Sequence, residues 1–257
     1  MESINNKIDQ AAESIARSKY LVAFTGAGIS VESGIPPFRG PDGLWSKYNP
    51  EVLDLDYFFR NPLGSWKVIK EIFYDFFGKA NPNPAHLALA KFEEMGLLKA
   101  VITQNIDNLH QLAGNTTVYE FHGNSQRLVC TQCETHFQAK DISLEKLPPV
   151  CLKCGGLLKP DFVFFGERIP IETHSASMAA AERCDVFLII GSTGEVMPAN
   201  QIPGIARRNN ALIIEVNPEK SKYTDYITDI HLEGKAGQIM KILQEKVEKL
   251  MAKTNFN

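Results

Sequence analysis

Short, continuous apolar runs alternate along the chain with segments whose apolar residues recur at helical spacing. Five runs lack the polar alternation of half-exposed strands and therefore predict strands buried on both faces: 20–24, 100–103, 118–121, 186–191 and 211–216. Helical spacing predicts helices at 4–17, 84–95, 172–183 and 200–208, and at the end of the chain through Ile239, Leu243, Val247 and Leu250. This alternation predicts an α/β fold, a Rossmann-like parallel sheet with helices on both faces.

Two segments interrupt the alternation. Residues 36–80 combine prolines, glycines and many aromatic residues, which predicts a loop followed by a helical insertion. Residues 125–160 contain four cysteines and predict a small inserted metal module. The Rossmann-like domain is then assembled from residues 1–35, 81–124 and 161–257.

Polar or glycine residues follow each predicted strand. They are Gly26, Gln104, His122, Ser192 and Asn217. Because ligands bind beyond the carboxyl ends of parallel strands, these residues predict one shared site. The first turn, TGAGIS (25–30), begins like the dinucleotide fingerprint G-x-G-x-x-G, but Val31 stands at the third glycine position. Its backbone N–H groups suit a phosphate. A tight turn without a ligand is the alternative interpretation.

The four paired cysteines have the spacing C-x2-C-x17-C-x2-C. Cys130, Cys133, Cys151 and Cys154 therefore predict one tetrahedral zinc ion, which is structural because four protein ligands leave no open position. Chance pairing or two disulfides is the alternative. Cys184 stands alone and is interpreted as a small core residue.

Two further motifs carry candidate chemistry. In TQNIDNLH (103–110), Gln104, Asn105 and Asp107 suit a carboxamide and ribose hydroxyls, whereas a helix cap at Thr103 or Asn105 is the simpler alternative. His122, in EFHGN, has the side chain of a general base working near pH 7, and a purely structural histidine is its alternative.

Composition and charge narrow the choice of partners. The chain has 257 residues, 44% of them hydrophobic and 22% charged, with a formal net charge of −3. A slightly acidic chain argues against nucleic acid as the main partner. No apolar run approaches the roughly 20 residues of a membrane span, and the N-terminal residues do not resemble a secretory signal. We therefore expect a cytoplasmic protein without a membrane partner.

Taken together, these motifs resemble the sirtuin family of NAD-dependent protein deacylases. The resemblance runs from residue 18 to about residue 237 and rests on GAGIS (26–30), GIPPFRG (34–40), TQNID (103–107), HG (122–123), both cysteine pairs, FFGE (164–167), GST (191–193), VN (216–217) and GKAG (234–237). It implies that NAD is consumed. Acyl-lysine and NAD would give deacylated lysine, nicotinamide and 2′-O-acyl-ADP-ribose.

The resemblance also implies roles for individual residues. The catalytic residues would be His122, Asn105 and Asp107. The residues that would contact NAD are Gly26, Ala27, Gly28, Phe38, Arg39, Gln104, Asn105, Ile106, Asp107, Gly191, Ser192, Thr193, Asn217, Pro218 and Ala236. The acyl-lysine peptide would lie against Val163, Phe165, Gly166, Glu195 and Val196.

The same resemblance bears on the substrate. Sirtuins that prefer succinyl or malonyl lysine carry a Tyr and an Arg three residues apart in the helical insertion, but Trp66–Ala80 contains no Arg. We therefore expect neutral acyl groups, acetyl first, with a longer neutral chain as an alternative. Glu195 predicts a preference for basic residues flanking the lysine. A monomer is expected.

Three other functions compete with deacylation. Mono-ADP-ribosylation would use the same fold. An NAD-dependent oxidoreductase would explain the glycines but not the four cysteines, and a zinc-ribbon module for nucleic acid would explain only a small part of the chain.

Overall fold

The computed structural model describes residues 3–38, 40 and 43–254. Within these ranges the strands are β1 (Leu21–Thr25), β2 (Leu98–Thr103), β3 (Val118–Glu120), β4 (Gly123–Cys130), β5 (His136–Gln138), β6 (Leu158–Phe162), β7 (Val186–Ile190), β8 (Leu212–Asn217) and β9 (Ile230–Glu233). Six of them form a parallel sheet in the order β3-β2-β1-β7-β8-β9. The other three form an antiparallel sheet in the order β5-β4-β6.

The helices of the described chain are α1 (Ile4–Arg17), α2 (Leu55–Arg60), α3 (Pro62–Ile69), α4 (Pro84–Glu94), α5 (Leu109–Ala113), α6 (Ile171–Arg183), α7 (Ile202–Arg208) and α8 (Ala236–Thr254). Helices α1, α4 and α8 contribute buried residues to the apolar cluster on one face of the six-stranded sheet. Helices α6 and α7 do the same on the other face. The prediction of a Rossmann-like sheet with helices on both faces is therefore confirmed. None of the described helices has the length and apolarity needed to cross a membrane.

The predicted helix at 4–17 coincides with α1. Its first turn begins at Ser3, whose side-chain oxygen accepts a hydrogen bond from the backbone N–H of Asn6 at 3.3 Å. The buried residues of this helix are Ile8, Ala11, Ala12 and Ile15, the apolar stripe that predicted it.

The helical insertion packs on the small sheet. After α3 the chain continues as a π-helical segment, Lys70–Phe76. The indole Nε1 of Trp66 donates to the carbonyl of Leu158 at 2.8 Å, and the hydroxyl of Tyr74 donates to the carbonyl of Ser125 at 2.9 Å. The rings of Phe73 and Phe162 lie 5.2 Å apart. The insertion and the cysteine-bearing sheet therefore share one apolar cluster, separate from those of the large sheet.

Candidate active site

The predicted strand-end residues lie at one edge of the six-stranded sheet, because all six strands run in the same direction. Hydrogen bonds connect four of them. The side-chain amide of Gln104 donates to the hydroxyl of Ser192 at 3.1 Å, and the backbone carbonyl of Gln104 lies 3.0 Å from Nδ1 of His122. The side-chain amide of Asn217 donates to the carbonyl of Ser192 at 3.1 Å. Amide and hydroxyl groups without a cation among them suit ribose hydroxyls and a carboxamide.

The glycine turn after β1 packs against the turn after β7. A Cβ on Gly28 would lie 2.6 Å from the Cα of Gly191, so a side chain there would displace the backbone. The N–H groups of Gly26 and Gly28 donate to the carbonyls of Ile190 and Gly191 at 3.0 and 2.9 Å. Both N–H groups are therefore used within the protein, and the phosphate cradle predicted from TGAGIS cannot rely on them.

The departure from the dinucleotide fingerprint at Val31 has a local explanation. The residues after the turn form a 3₁₀ helix, Ala27–Ser33, that ends at Gly34 with a φ of 86°. Val31 is 46% exposed, so no close helix-to-strand contact requires a glycine at that position.

A second group of polar side chains lies behind the glycine turn. The side-chain amide of Asn105 donates to the carbonyl of Gly26 and to the hydroxyl of Ser30, both at 3.1 Å. That hydroxyl donates to Asp107 Oδ2 at 2.7 Å, while Asp107 Oδ1 accepts from the N–H of Leu109 at 3.0 Å. Burial raises the pKa of Asp107, and the hydrogen bonds from Leu109 and Ser30 oppose the rise.

Most of the segment TQNIDNLH lies before helix α5 and is not helical. Helix α5 begins only at Leu109 and its cap residue is Asn108, with a φ of 65°. A helix cap at Thr103 or Asn105 is therefore wrong. The polar residues between β2 and α5 form a loop that turns their side chains toward the glycine turn.

Two buried histidines extend this group into the protein. Nε2 of His86 lies 3.5 Å from the hydroxyl of Ser30, and Nε2 of His110 lies 2.9 Å from the hydroxyl of Thr25. Their rings are 5.0 Å apart. Burial lowers the pKa of His86 to about 4 and lowers the pKa of His110 well below its usual value, with nearby His86 adding to the latter decrease. Both imidazoles are therefore neutral near pH 7.

His122 follows β3 and immediately precedes β4. A carbonyl only accepts hydrogen bonds, so Nδ1 carries the proton that it donates to Gln104, and Nε2 keeps a free lone pair. Burial lowers the pKa of His122, and the bond to Gln104 partly offsets this. The side chain is therefore a neutral imidazole near pH 7, as a general base requires.

The predicted peptide-binding segment adjoins His122. The N–H of Val163 donates to the carbonyl of His122 at 2.9 Å. Phe165 exchanges backbone hydrogen bonds with Leu53 and Leu55 at 2.8 and 3.0 Å, as in a parallel bridge. Phe162 and Phe164 are buried, whereas Val163 is half-buried and Phe165 and Gly166 are exposed. The segment therefore turns Val163 and Phe165 away from the apolar cluster.

The aromatic residues of the predicted cofactor loop join this segment. The ring of Phe38 lies 5.4 Å from that of Trp45, which lies 6.3 Å from that of Phe165. The loop is thus connected to the segment through Trp45, a residue that was not among the predicted site residues. Arg39, the other predicted residue of the loop, lies outside the described residues.

The remaining predicted contacts are distributed around this edge. The side chain of Ile106 is buried in the apolar cluster of the small sheet, and Ala236 is buried at the start of α8. Ala27 and Val196 are half-buried, and Thr193 and Pro218 are exposed. Glu195 is also exposed, and its carboxylate lies 4.0 Å from Nζ of Lys222.

The four paired cysteines converge on one point. Their sulfur atoms all lie within 4.8 Å of one another, with separations of 3.5 Å for Cys130–Cys154, 3.7 Å for Cys133–Cys151 and 3.4 Å for Cys133–Cys154. A disulfide would require about 2.05 Å. Four sulfurs about 2.3 Å from one zinc ion would be about 3.8 Å apart, so the cluster fits zinc. The interpretation as two disulfides is wrong. Cys184 is buried elsewhere, and burial raises the pKa of its thiol to about 12.

Sequence reasoning missed several polar residues of the site. Ser30, His86 and His110 were not among the predicted site residues, although Ser30 lies in TGAGIS, His110 in TQNIDNLH and His86 in the predicted helix 84–95. Within PAHLALA, His86 occupies a buried position of α4, and its Nδ1 accepts from the N–H of Asn83 at 3.3 Å. A histidine on an otherwise apolar helical stripe is the one signal that indicated it.

Comparisons with known proteins agree with this geometry. Residues 26–198 match the pattern of the Sir2 family. The chain is 45% identical over 255 residues to the NAD-dependent protein deacylase of Thermococcus kodakarensis, covering 96% of this chain and 98% of that one. It is 44% identical over 242 residues to NAD-dependent protein deacylase 2 of Pyrobaculum aerophilum, covering 93% and 95%.

Solved structures give the same answer. A Sir2 homologue in complex with NAD superimposes with a TM-score of 0.88 at 42% identity, covering 95% of this chain and 94% of that one. A complex of Sir2 with a p53 peptide and NAD⁺ superimposes with a TM-score of 0.83 at 34% identity, covering 96% and 98%. The glycine turn, the strand-end polar residues and the four-cysteine cluster thus lie in a chain that belongs to the Sir2, or sirtuin, family.

Proposed function

We propose that this chain is an NAD-dependent protein-lysine deacylase. The observation that carries the proposal is the arrangement of His122, whose free Nε2 is a base and whose carbonyl accepts a hydrogen bond from the peptide-binding segment at Val163. One residue therefore adjoins both the polar strand ends and the acyl-lysine segment. The relatives named as deacylases, and the family complexes with NAD and with a peptide, support the same function.

The strand ends and the loop after β2 bind the cofactor. NAD supplies the ADP-ribosyl group that receives the acyl group. The bond to nicotinamide breaks, one water molecule is consumed, and the lysine amine is released. Asn105 and Asp107 provide an amide and a carboxyl group for the nicotinamide end, held by Ser30 and Leu109. Gln104, Ser192 and Asn217 provide groups for the sugar hydroxyls. We assign the contacts with Gly26, Ala27, Gly28, Phe38, Arg39, Ile106, Gly191, Thr193, Pro218 and Ala236 on the resemblance alone.

His122 acts as the general base. Nδ1 holds its proton against the carbonyl of Gln104, which fixes the ring and leaves Nε2 to accept a proton from a ribose hydroxyl. Burial keeps the imidazole neutral, so the base is available at neutral pH. The zinc ion takes no part in this step because four thiolates complete its coordination.

The acyl group is neutral, with acetyl preferred. A succinyl carboxylate needs a cation as partner, and two lysines of this region are already paired with carboxylates. Nζ of Lys70, in the helical insertion, lies 2.7 Å from Asp75, and Nζ of Lys159, beside the peptide-binding segment, lies 3.1 Å from Glu167. A ring-lined segment containing Phe165 suits an uncharged acyl chain.

The enzyme acts as a monomer in the cytoplasm. The three predicted catalytic residues, His122, Asn105 and Asp107, all belong to the same chain, so a monomer can carry the predicted site. Four reduced thiols close enough for one metal ion favour a reducing compartment. Light scattering of the purified protein tests the first statement, because a dimer mass would contradict it. Fractionation of the source cells tests the second.

One experiment tests the activity. The purified protein is incubated with NAD and matched peptides carrying acetyl, butyryl, myristoyl or succinyl lysine, and products are read by mass spectrometry. We expect the deacylated peptide, nicotinamide and 2′-O-acyl-ADP-ribose in equal amounts. The acetyl-lysine peptide should react fastest. Unbroken NAD, or a rise in NADH absorbance, would refute deacylation. Faster removal of succinyl than of acetyl would refute the acyl preference alone.

A further inference from the structure

The side chain of Lys159 is buried beside the peptide-binding segment. Only 6% of this side chain is exposed, although lysine is among the residues least often buried. Its ammonium group lies 4.4 Å from the centre of the Phe164 ring. Burial lowers the pKa of Lys159, and the nearby carboxylate of Glu167 opposes the decrease. A buried cation at this position therefore needs partners, and the structure provides them.

All the recorded partners of this ammonium group lie on one short stretch of chain. Nζ donates to the carbonyl of Pro160 at 2.9 Å and to the carbonyl of Phe162 at 2.7 Å, and it lies 3.1 Å from Oε2 of Glu167. The same carboxylate oxygen accepts from the N–H of Phe164 at 2.8 Å. Lys159 and Glu167 together thus make contacts at Pro160, Phe162 and Phe164, along the length of residues 160–167.

The position of β6 explains why its carbonyl groups accept hydrogen bonds from a buried lysine. Among the described strands, β6 lies at the edge of the small sheet and pairs with β4 alone. Buried carbonyl groups without a neighbouring strand need another donor, and Lys159 supplies two of its N–H groups to them. Beyond β6 the backbone is attached at Val163, to His122, and at Phe165, to Leu53 and Leu55. The ammonium group and Glu167 add the attachments at Pro160, Phe162 and Phe164.

That path determines which side chains face the substrate. Phe162 and Phe164 point into the apolar cluster, which leaves Val163 and Phe165 on the opposite side. The recorded contacts of Lys159 reach no residue of the glycine turn or of the loop after β2. The direct contacts of Lys159 therefore lie on the peptide side of the site, and the dinucleotide side is reached indirectly, through the bond between Val163 and His122.

We propose that Lys159 is a positioning residue for the acyl-lysine substrate: with Glu167 it holds residues 160–167 in the one path that presents Val163 and Phe165 to the acylated lysine. The inference rests on the proposed function, because it assigns the segment to the peptide. It adds a residue that touches neither substrate directly but sets the affinity for one of them.

The test separates the two substrates. Lys159→Met keeps the length of the side chain and removes its charge, and Lys159→Arg keeps the charge. Lys91→Met, which breaks an exposed ion pair with Glu94 on α4, is the matched control. For each protein, we measure KM for an acetyl-lysine peptide, the dissociation constant of the labelled peptide by fluorescence anisotropy, and the dissociation constant of ADP-ribose by calorimetry.

We expect Lys159→Met to weaken peptide binding and raise peptide KM by about tenfold or more, since charged hydrogen bonds are lost, while ADP-ribose affinity changes by less than about twofold. Lys159→Arg should recover most of the peptide affinity, and Lys91→Met should match the wild type. Equal losses for both ligands, or no loss for the peptide, would overturn the proposal.

A second variant covers the case in which Lys159→Met does not fold. Glu167→Gln removes the carboxylate from both Lys159 and the N–H of Phe164, and it should likewise raise peptide KM without changing ADP-ribose affinity. Unchanged peptide KM in a folded Glu167→Gln protein would also overturn the inference. A wild-type protein that binds ADP-ribose but deacylates no peptide would refute the proposed function instead.

Discussion

Burial sets the protonation state of the histidines around the candidate site. The pKa values of His86, His110 and His122 are all lowered, in each case mainly by burial. Neutral imidazoles have one donor and one acceptor nitrogen, so each ring can have a fixed role in a hydrogen-bond network. The sequence could indicate His122, because it follows a predicted strand. It could not indicate how His86 and His110 approach Ser30 and Thr25, because that contact joins distant parts of the chain.

Replacement of His122 tests its role as base. We expect His122→Ala to lower kcat by about 10²–10⁴-fold with little change in melting temperature, because the side chain acts in proton transfer. In the wild type, the lowered pKa means that the neutral form persists below pH 6.5 and is lost only as the pH falls through that lower value. The kcat/KM profile should therefore fall on its acid side below pH 6.5. Full activity in the variant would remove His122 from the mechanism.

His86 makes stability depend on pH. In the unfolded chain His86 binds a proton below its ordinary pKa of 6.5, whereas in the fold its pKa is about 4. The unfolded state therefore binds more protons between these values. As the pH decreases from 6.5 to 4, this residue lowers the free energy of unfolding by about 3 kcal/mol. Urea unfolding at pH 7 and pH 4.5 measures it. His86→Gln should show a smaller loss between the two pH values, and an identical loss would contradict the assignment.

At the scale of elements, the sequence predicted the strands that are buried on both faces. Every residue of β1 and β7 is buried, so their apolar runs are continuous. β9 escaped prediction because IHLE is short and its burial alternates. The π-helical segment Lys70–Phe76 escaped because no local residue pattern specifies it. β4 begins at Gly123 and β6 ends at Phe162, so both strands extend two residues beyond the predicted module of 125–160. The division of the chain into domains stays a prediction.

The cysteine module provides a prediction at this scale. Zinc binding contributes about 10–16 kcal/mol to folding of small zinc domains, so Cys130→Ala or Cys151→Ala should release the metal and lower the melting temperature sharply. Metal content by mass spectrometry and thermal unfolding measure both effects. Cys184→Ala is the control, because it removes a buried thiol elsewhere in the core and should keep one zinc ion per chain. A Cys130 variant without zinc but with native melting would contradict a structural metal.

At the scale of the whole molecule, the candidate site is formed by segments that are far apart in the sequence. The candidate site gathers residues from near position 25 to beyond position 217, and the parallel order of the strands brings them together. The sequence predicted that gathering, because parallel strands end at one edge. It could not predict which charges are already paired, since ion pairs depend on side-chain placement.

The charge beside the predicted peptide path gives a prediction of that kind. Glu195 should favour basic flanking residues, but Lys222 lies 4.0 Å away and both side chains are exposed. Solvent therefore limits the preference to less than about 1 kcal/mol, or a few-fold in kcat/KM. A peptide array with acidic and basic flanks measures it. Glu195→Gln should remove the preference and Lys222→Met should strengthen it. Equal use of both flanks by the wild type would refute the role of Glu195.

His122 is fastened from two sides, through its ring to Gln104 and through its main chain to Val163. A ligand that restricts the motion of His122 through one of these hydrogen bonds also restricts it at the other. We therefore expect each substrate to raise the affinity for the other. Thermodynamic linkage makes such help mutual: the factor by which ADP-ribose improves peptide affinity must equal the factor by which peptide improves ADP-ribose affinity. Calorimetric titration in both orders gives that factor, and a value of one would mean that the histidine transmits nothing between its two neighbours.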